Sequence, residues 1–499
     1  MGADIVDVLV VGGGVNGAGI ARDLAGRGLR VLLAERDDLA SHTSSASSKL
    51  VHGGLRYLAQ GHFGLVRKSL LERERLLARN PHLMQPLRLV LPHDATQGPR
   101  WRLRAGLFLY DHLAPLRVSA PSRALALPGT PEGAALQARF THAFTFSDGW
   151  VDDARLVLAC ALDAQAHGAR ILTRHACVSA RPRDGLWHIQ LREPHGREHA
   201  VHARALVNAT GPWASRFLAE ALHHPQPPRL RLVQGTHVVV RRRWTHGAGY
   251  LLQNPDGRVL FALPFHGEFT LLGTTDVEVD RPSAQATEAE VDYLCTQASR
   301  WLREPVTPAD VLHRWAGVRP LLDDAQGDAK AITRDYRLDL VKAPGLPPRL
   351  DVWGGKLTTF RLLAEQAADR LAPLLGAPRG TWTAEAPLPG GDCGPLAPFI
   401  AELQGAHPDR DPALVARWAR AHGSGARALL NTPPGPEIAP GVCEAELRHA
   451  HAHEWAQNGD DFLWRRTKLG LVLNATQQAE VQRWFLTCAK PGGLGATLS

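Results

Sequence analysis

Residues 10–28 read VVGGGVNGAGIARDLAGRG, and within them Gly12, Gly14 and Gly17 match G-x-G-x-x-G, with Gly13 and Asn16 filling the turn. An apolar run, 5–11, precedes the glycines, and a helix-spaced pattern, 15–26, follows them. A strand feeding a glycine turn aims the next helix's N-terminus at a pyrophosphate, whose charge meets free amides and the helix dipole. A second short strand, 30–34, ends at Glu35, where the fingerprint places an acid to accept a ribose 2′-hydroxyl. The opening β-α-β unit is therefore read as binding a dinucleotide, and the acid argues against a 2′-phosphate.

A chain of 499 residues exceeds what one hydrophobic core organises, so two or three domains are expected. Its 44% hydrophobic and 21% charged residues are ordinary for a globular protein. A net charge of +8 fits an anionic partner, whether a phosphorylated metabolite, a membrane surface or nucleic acid, and equally an arginine-rich composition bias. Cys160, Cys177, Cys295, Cys393, Cys443 and Cys488 form no C-x-x-C pair, which fits a reduced setting better than a disulfide framework or a zinc site. The N-terminal residues lack the basic, apolar and small-residue regions of a secretory leader. No apolar stretch approaches about 18 residues, so any membrane contact is expected to be peripheral.

Further along, SHTSSASSK (41–49) has neither helix nor strand periodicity and offers hydroxyls to phosphates or a ring system. Residues 64–79 are read as an amphipathic helix. Residues 149–213 repeat the opening theme: helix, strand, a hairpin at Asp184-Gly185, then a strand running into a cofactor-facing turn at Ala209, Thr210 and Gly211. Residues 231–279 change to short β-runs broken by turns, read as an inserted antiparallel sheet. Residues 350–376 return to strand, Gly354-Gly355 and helix; beyond the Pro/Gly-rich 387–397 the chain reads mostly helical. Gly423 and Gly425 mimic a fingerprint but follow a helix, so they are read as a helix-terminal turn.

One fingerprint rather than two favours FAD reduced directly by substrate over relay from NAD(P)H, and a plain NAD dehydrogenase stays open. Polar clusters lie at strand ends and glycine turns, where sites gather in α/β folds. They are Lys49, His52, Arg56 and Tyr57; Gln234, Thr236 and His237; Thr274, Thr275 and Asp276; Arg319; Arg334; and Lys356.

With the opening run, TSSASSKLVHGGLRYL, FTFSDGWVDDARLVLA, LVNATGPWA, LLGTTDVE, AGVRPLLDD, AITRDYRLD, WGGKLTTFRLLAE and HEWAQNGDDFLWRRTKLGLVLNATQQ together resemble the aerobic, FAD-dependent glycerol-3-phosphate dehydrogenases over nearly the whole chain. The resemblance implies an α/β fold: an FAD-binding Rossmann-like domain over 1–380, discontinuous, an antiparallel-sheet substrate domain inserted at about 80–150 and 225–340, and a C-terminal helical domain over 387–499. It implies oxidation of sn-glycerol 3-phosphate to dihydroxyacetone phosphate, hydride passing from C2 to flavin N5 and electrons to a membrane quinone. The implied setting is cytoplasmic, at the inner-leaflet surface, with a homodimer among the expected partners. Gly12, Gly13, Gly14, Asn16 and Gly17 would hold the pyrophosphate and Glu35, beside Arg36, the adenosine ribose. Ser44, Ser45, Ser48 and Lys49 would line the pyrophosphate and flavin side. Gly54, Cys177, Ala209, Thr210, Gly211, Gly355, Lys356, Leu357 and Thr358 would complete the cofactor site. Arg56, Tyr57, Arg319 and Lys356 match the family's phosphate anchors, joined by Thr275 at the substrate. A dianionic phosphate suits guanidinium forks and an ammonium. His237 is expected as the base ahead of His52, and Arg334 as a stabiliser of developing negative charge.

Residues 99–118 interleave Arg100, Arg102 and Arg104 with Trp101, Leu103, Leu107, Phe108 and Tyr110, which suits an interfacial membrane segment as well as a core helix with an arginine-rich start. His449 and His453 share a helix face, but an i, i+4 pair alone reads as solvated, and no metal is assigned. Two other readings stand beside the dehydrogenase: an oxidase passing electrons to oxygen, and a flavin-containing RNA-binding or RNA-modifying protein, although no RNA module is recognisable and no nucleic-acid partner is expected.

Overall fold

The computed structural model describes residues 5–94, 97–322 and 335–488 and, within them, every side chain but those of Arg56, Ala59 and Cys488. Up to Asn208 the chain supplies β1 (Ile5–Val11), β2 (Val31–Ala34), β3 (Leu50–Val51), β4 (Met84–Pro92), β5 (Arg123–Ala126), β6 (His142–Val151), β7 (Arg170–Leu172), β8 (Ala176–Arg183), β9 (Leu186–Arg192) and β10 (Glu198–Asn208). Beyond it come β11 (Leu230–Arg241), β12 (Gly249–Gln253), β13 (Val259–Phe265), β14 (Phe269–Gly273), β15 (Val277–Val279), β16 (Val311–Leu322), β17 (Arg337–Val341) and β18 (Arg349–Trp353). Four early helices matter for the site: α1 (Val15–Gly26), α2 (Leu55–Ala59), α3 (Phe63–Arg79) and α4 (Arg100–His112).

One sheet runs β17-β18-β10-β1-β2-β7, with β8 and β9 attached beside β10. The pairings β10–β18, β1–β10, β1–β2 and β2–β7 are parallel. Its central strands β1 and β2 carry buried apolar runs at 8–11 and 31–34, because both faces are covered there. On one face α1 packs between the helices Asp153–Ala166 and Phe360–Leu375, forming a core with Val8, Val10, Leu33 and Val207. Gly19 permits that approach, since a Cβ there would lie 3.1 Å from the Phe360 ring.

The second sheet runs β15-β11-β14-β13-β12-β4-β6-β3, with β16 beside β11 and β5 beside β6. The expectation of a purely antiparallel insertion needs correction at one joint: β4 and β12 pair in parallel, Gly249 opposite Leu89. That joint ties two distant chain segments into one sheet, so no tight turn constrains its direction. β3, from before the expected insertion, joins the sheet by pairing Leu50 with Trp150.

Beyond residue 390 the helices Leu396–Ala406, Pro412–His422, Glu444–His453 and Ala475–Cys488 form their own cores. They meet the cofactor sheet through buried ion pairs. Arg466 holds Asp38, Arg174 reaches Asp461 at 2.7 Å, and Arg155 reaches Glu454 at 2.7 Å. The solvated reading holds for His453, which is exposed, and changes for His449. His449 sits edge-on to His422, its Nε2 3.8 Å from the buried Glu454 carboxylate. Arg155 occupies the cation position of that cluster, since it also donates to His422 Nδ1 at 3.3 Å.

Candidate active site

The carboxyl ends of β1, β10 and β18 open onto a cavity of about 1410 Å³, above the usual range for small-molecule sites and long enough in outline to span both sheets. Its first part is built by the opening turn. Gly12 has φ +110°, and a Cβ there would lie 2.5 Å from the Ala209 carbonyl oxygen. Gly17 is needed for a different reason, since its Cβ would fall 1.9 Å from Gly12 O. Gly14 caps α1 without any side chain and faces the cavity. Backbone amides at this helix start can therefore approach an anion closely.

The Glu35 carboxylate accepts from Gly13 N at 2.6 Å and Asp37 N at 2.9 Å. Burial raises its pKa, against these two donors. Carboxylate oxygens hold further lone pairs, so Glu35 remains able to accept a ribose hydroxyl in the cavity it lines. Arg36 lies 4.2 Å from the Trp213 ring centroid, and His42 packs on the same indole at 4.6 Å. Trp213 was no candidate in the sequence, although it stands in the LVNATGPWA motif; Cys177 and Thr210 also line this end.

A second glycine turn closes the far side. Gly355 adopts φ +107°, and a Cβ there would lie 2.7 Å from Asn16 Nδ2. Asn16 donates to Gly354 O at 3.0 Å, leaving its buried Oδ1 without a partner among the described residues. Leu357 and Thr358 then lead into the helix Phe360–Leu375, so a second helix start faces the cavity. The glycine cradle, the two helix starts, Glu35 and the unpartnered Asn16 oxygen together fit an extended dinucleotide such as FAD.

The other part of the cavity lies under the second sheet and is lined by Arg231, Arg319 and Lys356 together with Asp276, Glu278 and Asp335. Lys356 Nζ sits 4.0 Å from the Tyr57 ring centroid, and Arg319 pairs with Asp276 at 2.7 Å while donating to Thr275 O at 2.9 Å. His237, on β11, has Nε2 2.8 Å from Ser48 Oγ. Burial first, then the charges of Lys49 and Arg319, push its pKa down to about 3, so the ring is neutral. Gly273 opposite it is obligatory, because a Cβ would fall 2.1 Å from His237 Cδ2. His52 lines the same space, its pKa lowered by burial and by Lys356 and Arg73, against Asp148.

Several expected residues stand elsewhere. Lys49 is turned away from the main cavity: its ammonium is buried against Asp153, 2.7 and 2.8 Å from the two carboxylate oxygens. A left-handed backbone at φ 58° and this partner 104 residues away redirect it. Ser45 flanks it, lining a smaller neighbouring cavity. Thr275 points its hydroxyl at Glu290, 2.7 Å away in the interior, and serves Arg319 only through its carbonyl. Gly54 (φ +80°) starts α2 beside the Tyr57 ring instead of forming wall. Gly13 and Gly17 support the turn from behind. The Arg56 side chain and the whole of Arg334 lie outside the described residues.

Comparison with known proteins agrees with this geometry. Residues 7–346 match the FAD dependent oxidoreductase family model. A glycerol-3-phosphate dehydrogenase of Pseudomonas aeruginosa is 46% identical, over 97% of this chain and 95% of the relative. The aerobic glycerol-3-phosphate dehydrogenase of Escherichia coli is 43% identical, over 96% and 97%. A D-erythritol 1-phosphate dehydrogenase of Brucella abortus is 44% identical, over 96% and 97%. The crystal structure of glycerol-3-phosphate dehydrogenase from Bacillus halodurans, complexed with FAD, superposes with a TM-score of 0.75 at 27% identity, covering 96% of this chain and 90% of the other. The chain belongs to the FAD-dependent oxidoreductases, within their glycerol-3-phosphate dehydrogenase branch.

Proposed function

We propose that this protein oxidises sn-glycerol 3-phosphate at C2 to dihydroxyacetone phosphate, using FAD held between the two glycine turns, and passes the electrons to a membrane quinone. The carrying observation is one cavity that joins a dinucleotide cradle to Arg319 and Lys356 around a neutral histidine. FAD supplies the hydride acceptor, its flavin N5. Arg319 and Lys356 bind the phosphate dianion, through a guanidinium fork and a point charge respectively. His237 takes the C2 hydroxyl proton; Ser48, 2.8 Å from Nε2, marks where that nitrogen meets a hydroxyl group. Substrate phosphate offsets the Arg319 charge that depresses the imidazole pKa, which strengthens the base when the site is filled.

Peripheral attachment to the inner leaflet rests on α4. Leu107 and Tyr110 are buried, while Trp101 is 67% and Phe108 56% exposed beside exposed Arg100 and Arg102. Apolar anchors next to basic side chains suit an anionic interface, and among the described residues no helix is long and apolar enough to cross a membrane.

The test is anaerobic titration of the holoenzyme with sn-glycerol 3-phosphate, followed by a quinone analogue and, separately, by oxygen. Bleaching of the flavin absorbance reversed by the quinone is the expected result. Recovery by oxygen with peroxide would make it an oxidase. Bleaching by D-erythritol 1-phosphate alone would move the substrate to a longer polyol phosphate.

A further inference from the structure

β8, β9 and β10 form an antiparallel ribbon, and β10 joins it to β1. The pairing of Ala176 with Arg192 sets His175, just before β8, opposite Glu193, just after β9. His199 on β10 pairs with Leu191, two residues before Glu193, and so shares a face with it. The ribbon thus brings two imidazoles and a carboxylate to one spot, where one ligand-capable atom from each lies within 4.8 Å of the other two. The oxidation chemistry above makes no use of them.

The backbone holds the three from behind. His175 Nδ1 lies 2.8 Å from Thr173 O, so this nitrogen is the donor, and Nε2 keeps its lone pair 3.8 Å from Glu193 Oε1. Metal-binding histidines are commonly oriented by such a bond from the other ring nitrogen. Glu193 sits in the turn between β9 and β10, its N donating to Arg197 O and its carbonyl accepting from Gly196 N, both at 2.9 Å. His199 Nε2 meets the same Glu193 oxygen in a hydrogen bond, which chiefly lowers the Glu193 pKa and keeps the carboxylate ionised. The guanidiniums of Arg174 and Arg192 are turned to Asp461 and Glu198. This sets the group apart from His422, His449 and Glu454, where Arg155 takes the cation's place. All three residues are half-buried, so an ion can enter from solvent.

Two imidazole nitrogens and one carboxylate suit zinc-class divalent ions; calcium and magnesium prefer oxygen throughout, and copper(I) prefers thiolate or thioether. We propose that His175, Glu193 and His199 bind such an ion, with water in the fourth position. His199 Nε2 leaves its hydrogen bond, giving up that proton, and becomes a ligand beside the carboxylate. The ion sits at the adenosine end of the main cavity, where His175 forms wall and its amide donates to Glu35 O at 2.7 Å. It ties three strands together where the ribbon meets the cofactor turn.

The test uses flavin-loaded enzyme first stripped of metal by a chelator. Calorimetric titration with zinc should show a saturable site that Glu193→Gln and His199→Gln each weaken at least roughly tenfold, about 1.4 kcal/mol. His202→Gln, in the stacked His188–His202 pair on the ribbon's opposite face, should leave that affinity unchanged. Copper(II) in the parent should give an electron paramagnetic resonance signal split by two imidazole nitrogens, against an oxidised flavin that is silent. Flavin absorbance equal to the parent's shows that the variants fold. No zinc binding by the parent, affinity unchanged in both ligand variants, affinity lost in His202→Gln, or coupling to a single nitrogen overturns the site.

Discussion

His237 is defined by what surrounds it more than by its own chemistry. A histidine with an ordinary pKa would be partly protonated just below neutrality, whereas burial beside Lys49 and Arg319 keeps this one neutral and able to accept a proton. His237→Gln should lower the rate of flavin bleaching by roughly 10²–10⁴-fold while flavin content stays that of the parent, as stopped-flow absorbance would read. Lys356→Met should act on substrate capture. Losing one charged hydrogen bond, about 1.5–3 kcal/mol, raises KM for glycerol 3-phosphate roughly 10- to 150-fold in steady-state assays. That His237, Tyr57, Arg319 and Lys356 meet at one cavity was legible in motif and residue chemistry. The placing of Lys49 and Thr275 was not, because their directions are set by Asp153 and Glu290, partners that sequence proximity does not reveal.

Elements carry the cofactor through backbone shape. The β1–α1 turn was readable because its glycines answer two steric demands that no other residue meets, and the structure gives each a distance. Gly17→Ala places a methyl group against Gly12 O, and the purified variant should carry far less flavin per chain than the parent, measured by absorbance after denaturation. The runs of 231–279 announced strands, yet the parallel β4–β12 joint stayed hidden, since a pairing between distant segments leaves no turn residues to read. For α4, hydrophobic spacing left core and interface equally open, and only the burial of Tyr110 against the exposure of Trp101 separates its two faces. Trp101→Ala with Phe108→Ala should reduce flotation with anionic vesicles while leaving bleaching by substrate intact.

At the scale of the whole molecule, neutral buried histidines make stability depend on pH. His82 is held at about 4 and His237 at about 3, both chiefly by burial. The unfolded chain protonates them near 6.5 while the folded chain resists, so stability is fully present above that pH and falls as pH drops through it toward 4 and 3. Each group costs up to about 1.4 kcal/mol per pH unit in that window, which a fall in Tm between pH 6.5 and 4 would register. The C-terminal helices are held to the cofactor sheet by Arg155 and Glu454, whose carboxyl sits at about 2 because Arg155, His422, His449 and Arg466 together outweigh the opposing cost of burial. Glu454→Gln leaves a buried guanidinium short of its counter-charge, a loss of about 3–5 kcal/mol visible as a lower Tm.

The cofactor cavity is walled by β1 near the start of the chain and by Lys356 and Thr358 far along it, with Ala209 and Thr210 between. On a ribosome adding about 5–20 residues per second, the first wall waits roughly 20–70 s for the last. During that interval the glycine turn is exposed without the strand and helix that shut over it. FAD can therefore be locked in only when synthesis is well past its midpoint, which makes flavin supply a late event in the birth of each molecule.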